Sequence, residues 1–303
     1  MTDALRRDAA RDRAYYAVRE VRDRRVLEAR LSDDRAFSAY ALGHLEPDLI
    51  EWARFWVAEG PTGHAVVMHA RALGSVVVTV GDPEAVAAIL AVHPGQRSSY
   101  LSTAAPEQLA AIARTHEVSD TLRMLRMTVT SYQFTDPGGD VRRLRGSDVV
   151  RLNGLYATDG NPSRYSADAI ERAVYYGMFE EGVLVAAAGT HLVSPHQSLA
   201  VVGNVFTHPR ARGRGYATRV TGAVTRALLE GGCGQVVLTV DPKNAPAVAA
   251  YTRLGYRQGA PVIEARLRRR DNFGITPAWR RYLARRRGRG RGDGFELVAP
   301  GRQ

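Results

Sequence analysis

The residues His208-Pro-Arg-Ala-Arg-Gly-Arg-Gly-Tyr-Ala217 have the types and spacing to hold an anion. Gly213 and Gly215 stand where a helix begins, so the backbone there can take positive φ and come close to a ligand. The free N–H groups of the first helical turn then point outward, and the helix dipole favours negative charge. Arg210, Arg212, Arg214 and Arg219 add positive charge around the turn. The ligand that suits such a turn is a diphosphate.

The flanking elements must position that turn. A strand-like run, Ser198 to Thr207, leads into it. After it, Val220, Ala223, Val224, Ala227 and Leu228 fall at helical spacing, and Gly231-Gly232 ends the helix. A second strand covers Gln235–Val240. Beyond it Asn244, Ala247, Val248 and Tyr251 share one face of a further helix. Asn244 follows Asp241-Pro242 and can cap that helix.

Arg212-x-x-Gly215-x-Ala217, followed by Asn244, Tyr251 and Leu254-Gly255-Tyr256, resembles the GNAT superfamily of N-acetyltransferases. The resemblance covers about residues 140–268 and looks closest to a bacterial tandem subgroup. Three more copies of the arginine–glycine pattern occur within Arg285–Gly294. They lack the strand before and the apolar-periodic helix after that give the pattern meaning.

The resemblance implies acetyl transfer from acetyl-CoA, as co-substrate, to a primary amine by direct transfer in a ternary complex. Arg212, Gly213, Arg214, Gly215, Tyr216 and Ala217 would hold the pyrophosphate. Val205, Phe206 and Thr207 would lie on a splayed strand beside the pantetheine arm, with the Val205 N–H on the thioester oxygen. Asn244 would contact CoA, and Tyr251 would protonate the leaving thiolate. Ordinary roles compete: Asn244 as a helix cap, Tyr251 as a core tyrosine.

Such a transfer also needs a base for the amine. The strand Ser198–Thr207 carries no Glu or His; Asn204 is its only amide. His191 and His208 are candidates with suitable unperturbed pKa values, and His191, on the preceding strand, is the expected base. Arg164, Tyr165, Tyr175 and Tyr176 are candidates to line the acceptor pocket. No metal ligand set is expected.

The 303 residues suggest two domains. The resemblance implies an α+β fold with two acetyltransferase-like domains in tandem, each a mixed, mostly antiparallel sheet flanked by helices. The expected division is a charged N-terminal helix or arm at 1–30, a degenerate acetyltransferase-like domain at 31–135 and the active domain at 140–268. Asp136-Pro-Gly-Gly139 would be the boundary loop, and an Arg/Gly-rich tail at 271–303 would be disordered. Nothing before residue 136 has the phosphate-turn pattern.

The formal charge of +11 is uneven. From Ala265 onward twelve arginines face three carboxylates, so the basic balance mostly describes the tail. Lys243 is the only lysine and Cys233 the only cysteine, which excludes an intrachain disulfide. No apolar run is long enough to span a bilayer, and a cytoplasmic protein is expected. A small-molecule amine is the expected partner, with no membrane. A different class of function remains beside this one: a CoA-binding regulatory module whose Arg-rich tail makes weak contacts with nucleic acid.

Overall fold

The computed structural model describes residues 15–71, 74–158, 160, 165–288 and 295–300. In chain order the first elements are β1 (Tyr16–Val21), α1 (Arg24–Leu31), α2 (Ala39–Gly43), β2 (Ala53–Gly60), β3 (Gly63–Ala70) and β4 (Val76–Gly81). They are followed by α3 (Pro83–Val92), β5 (Ser98–Thr103), α4 (Leu109–Ala113) and β6 (His116–Val129). Then come β7 (Arg142–Arg143), α5 (Val149–Ala157), α6 (Ala167–Arg172), β8 (Tyr176–Glu180), β9 (Val183–Ser194) and β10 (Leu199–Thr207). The chain continues with α7 (Tyr216–Glu230), β11 (Gln235–Val240), α8 (Ala245–Arg253), β12 (Arg257–Arg269), α9 (Ile275–Gly288) and β13 (Glu296–Val298).

The chain forms two compact units, residues 1–123 with 261–303, and residues 124–260. The division therefore falls inside β6 and inside β12, not in the loop Asp136–Gly139 or after residue 268. The reason lies in strand pairing. In the first unit the strand order begins β13-β1-β2-β3-β4-β5 and is continued by β12, where Ala265 faces Leu101. In the second unit the order is β6-β11-β10-β9-β8-β7, and Val129 of β6 faces Val236 of β11. Each unit thus takes a strand from a part of the chain that sequence order assigns to the other. The pairing is mixed in both units: β4 with β5 and β10 with β11 run parallel, and the other registered pairs are antiparallel. With helices packed against the strands of each unit, the fold is α+β, as expected.

In the first unit α3 packs Val86, Ile89 and Leu90 into a core with Val67, Leu101 and Ala265. Its start is closed by its own sequence. Pro83 sits in the first turn, and Asp82 Oδ1 accepts from Ala85 N–H at 2.9 Å. In the second unit α7 buries Val220, Val224 and Leu228 against the sheet. Each fully buried Val or Leu side chain contributes roughly 1.5–3 kcal/mol. Cys233 is buried behind the end of this helix, and burial pushes its thiol pKa up.

Two expectations are corrected. Residues 15–30 are not one charged helix. Tyr16, Val18 and Val21 are buried on β1, which pairs with both β2 and β13 before α1 begins. Hydrogen bonding along both edges outweighs weak helical propensity. Residues 1–14 lie outside the described residues. The 271–303 segment is also not a structureless tail. Helix α9 buries Pro277, Ala284 and Gly288 and turns Ile275, Trp279 and Tyr282 outward. Arg281 Nη1 donates to Val92 O at 2.8 Å, and Arg285 Nε to Glu296 Oε1 at 2.9 Å. The second half of the Arg-Gly run, 289–294, lies outside the described residues. No described helix is long and apolar enough to cross a membrane.

Candidate active site

The second unit opens its sheet at one point. Strands β10 and β11 are paired from Leu199 to Val202 and no further, although β10 continues to Thr207. On the other side, β10 pairs with β9 at Gly203 and again at Phe206, with Asn204 and Val205 outside the register. Burial changes at the same place: Leu199–Val202 are buried, whereas Gly203–Thr207 are half-buried. Val205 packs with the cluster that contains Tyr251, and Phe206 with the cluster on Tyr156 and Tyr175. The Thr207 hydroxyl is buried with no hydrogen-bond partner among the described residues.

The turn follows directly. Gly215 adopts the left-handed conformation, φ 75°, as the N-cap of α7, and no side chain caps the helix. A Cβ at Gly213 or Gly215 would meet nothing within 4 Å, so the backbone faces open space. The N–H groups of Tyr216, Ala217 and Thr218 precede the first helical bond, Arg219 N–H to Gly215 O. The residues present therefore fit a pyrophosphate. Not every arginine points the same way. Arg214 Nη1 is 2.7 Å from Glu180 Oε1, which also accepts from the Tyr216 hydroxyl. Arg212 Nε donates to Thr207 O, tying the turn to the strand end.

Helix α8 carries Asn244 and Tyr251. Asn244 is the N-cap, its Oδ1 accepting from Ala247 N–H at 3.2 Å, so it fills its ordinary structural role. Tyr251 is 6% exposed, and its hydroxyl has no hydrogen-bond partner among the described residues. Burial pushes its pKa up to about 12. It therefore keeps its proton near neutrality, the state that a proton donor needs.

His191 is placed by two irregularities. On β9 the register runs from Leu192 to Thr190 and skips it, so His191 is a bulge residue. Its Nε2 lies 3.1 Å from Asn204 Oδ1. Asn204, at φ 54°, gives its Nδ2–H to the Tyr175 hydroxyl at 2.7 Å, while its backbone O accepts from the Tyr156 hydroxyl at 2.6 Å. That arrangement turns Oδ1 toward His191, where it can accept from an Nε2–H. One edge of His191 is exposed, yet the ring lies against the strand. Desolvation, with a smaller contribution from the charge of Arg126, lowers its pKa.

Residues 150–256 match the acetyltransferase (GNAT) family model. They are a GNAT acetyltransferase domain. Within the chain, a stretch of 46 residues is 50% identical to a mycothiol acetyltransferase of Corynebacterium jeikeium, covering 15% of this chain and 13% of that one. Another of 84 residues is 37% identical to a mycothiol acetyltransferase of Catenulispora acidiphila, covering 25% and 27%. The chain thus matches less than a third of either relative's length. Among solved structures, a Drosophila protein is similar with a TM-score of 0.60 at 14% identity, over 82% of this chain and 98% of that one. A GCN5-related N-acetyltransferase from Kribbella flavida has a TM-score of 0.53 at 19% identity, over 80% and 96%. These likenesses concern the fold.

Within the GNAT domain, the structure brings Val205, Tyr216 and Tyr251 into one packed cluster. His208 serves the turn instead, its Nδ1 accepting from Arg210 N–H. Tyr175 is buried and holds the bulge, so it does not line an open pocket; Tyr165 is half-buried beside it, with ring centres 6.1 Å apart. Tyr176 is half-buried under Arg143. Arg164 lies outside the described residues. Asn204 and Tyr156 were not among the expected site residues. The one signal for Asn204 was an amide alone in an apolar strand.

Proposed function

We propose that the chain is an acetyl-CoA-dependent N-acetyltransferase, acting on a small primary amine by direct transfer in a ternary complex. The observation that carries this reading is the parting of β10 from β11 after Val202, directly ahead of the open, uncapped turn at Gly215. A strand that leaves its neighbour gives up backbone groups that a pantetheine arm can use. Val205 N–H is suited to meet the thioester oxygen as negative charge builds on it. Tyr251 supplies the proton to the leaving thiolate, and His191 takes the proton of the amine. The turn residues Arg212 to Ala217 hold the pyrophosphate.

The experiment is a panel of amines screened for CoA release with acetyl-CoA as donor. Both curated relatives are named mycothiol acetyltransferases, so amines of the mycothiol type belong on that panel. The turn is tested separately. CoA should raise the melting temperature of the wild type by ligand linkage. Gly215→Glu should remove the shift by placing a carboxylate among the phosphates. An undiminished shift in a folded Gly215→Glu variant sinks the assignment.

A further inference from the structure

Among its described residues the first unit shows no such turn, but it has a cleft of its own. The cleft measures about 540 Å³ and lies where the start of β2, the end of β3, the C-terminal end of α3 and helix α9 meet. Its place is the far end of α3 from Asp82, which caps the start of that helix. Trp52, Arg54, Trp56, Arg71, Arg269 and Arg281 line it, with Glu51 as the carboxylate among the lining residues.

The wall is built rather than incidental. Trp56 stacks on His93 with ring centres 3.3 Å apart. His93 Nε2 is held at 2.6 Å by Glu296 Oε2, and both side chains are buried. Arg281 is anchored on Val92 O, and Arg269 on Gly95 O and Asp271 O. Those bonds use only part of each guanidinium fork. Arg71 has no ion pair or side-chain hydrogen bond among the described residues, and Arg54 reaches Glu20 only at 3.7 Å. Trp52 is 60% exposed at the rim.

Four guanidinium groups line the cleft with Glu51, while Glu20 lies 3.7 Å from Arg54 and Glu296 behind His93, so positive charge is in excess and its repulsion only partly offset. An anion relieves it. Arginine matches phosphate in bidentate geometry, and an exposed tryptophan offers a flat face to a planar ring. The volume falls in the usual range for small-molecule sites. We propose that this cleft binds a nucleotide, with the base against tryptophan and the phosphates among Arg54, Arg71, Arg269 and Arg281.

Two of the three tryptophans of the chain line the cleft, so emission reports on it directly. The full chain carrying Gly215→Glu, which keeps the acetyl-CoA turn out of the reading, is titrated with adenosine 5′-diphosphate, adenosine and inorganic phosphate. Calorimetry runs in parallel. The expected result is a saturable quench by the diphosphate below about 1 mM. Adenosine and phosphate should each bind at least about tenfold more weakly. Arg71→Gln and Trp52→Ala, both surface changes checked for unaltered melting, should each weaken the diphosphate about tenfold, the worth of one charge-assisted contact. No saturable binding, or an affinity unchanged from the parent chain in both variants, overturns the site. Phosphate binding as tightly as the diphosphate overturns the nucleotide class.

Discussion

The imidazole of His191 lies against Gly203. A Cβ at residue 203 would come within 2.3 Å of His191 Cε1 and Nε2. Glycine at 203 is thus what lets the bulged histidine lie flat and reach Asn204. Gly203→Ala should push the ring off the strand. If His191 is the base, turnover should fall by about 10²-fold, while the dissociation constant for acetyl-CoA stays unchanged. Single-turnover kinetics beside calorimetry would measure both, and unchanged turnover in a chemistry-limited reaction would remove His191 from the mechanism.

Tyr251→Phe deletes one hydroxyl and leaves the ring packed against Tyr256, 6.1 Å away. Turnover should drop by roughly 10²–10⁴-fold with acetyl-CoA affinity preserved. With its pKa pushed up to about 12, Tyr251 should add no alkaline limb to the rate profile in the neutral range. Full activity in the variant would leave the tyrosine as packing.

Much of this site could be read from residue order. Gly213 and Gly215 fell between a strand and an apolar-periodic helix, and Asp82-Pro83 announced α3 with its cap. What escaped depends on partners distant in the chain. Asn204 matters through its left-handed φ and three neighbours, none of which a pattern within β10 reveals. Strand β5, Ser98–Thr103, is rich in hydroxyls and acquires its place by lying between β4 and β12. Helix α9 buries small residues and uses arginine to cap α3 and bind Glu296, so its sequence resembles a solvated tail.

Removal of residues 271–303 should therefore unfold the first unit rather than trim it. Ala284 and Val298 leave the core, β1 loses β13, and His93 loses Glu296. Core losses of this kind cost several kcal/mol in total. Thermal melts and protease digestion of the truncated chain should show the first unit opened. A native melting temperature would contradict this.

Acid should destabilise the same unit through its histidines. Burial lowers the pKa of His69 from 6.5 to about 4, and shifts His44, His93 and His116 in the same direction. The unfolded chain takes up these protons first. Stability is thus full above about pH 6.5 and declines as pH falls toward the folded-state values. Melting temperature should fall between about pH 7 and pH 4.5. In His69→Gln the fall should be smaller. An equal fall in the variant would exclude His69 as a contributor.

The exchange of β6 and β12 sets an order of events during synthesis. Residues 124–260 form one unbroken segment, so the GNAT unit has all its strands as soon as that segment is made. The unit begun first has to wait. Until residues 261–303 emerge, β5 lacks β12 and β1 lacks β13, and their open edges need protection from wrong partners. Domains usually complete from the N-terminus onward; here the part of the chain translated first is completed last.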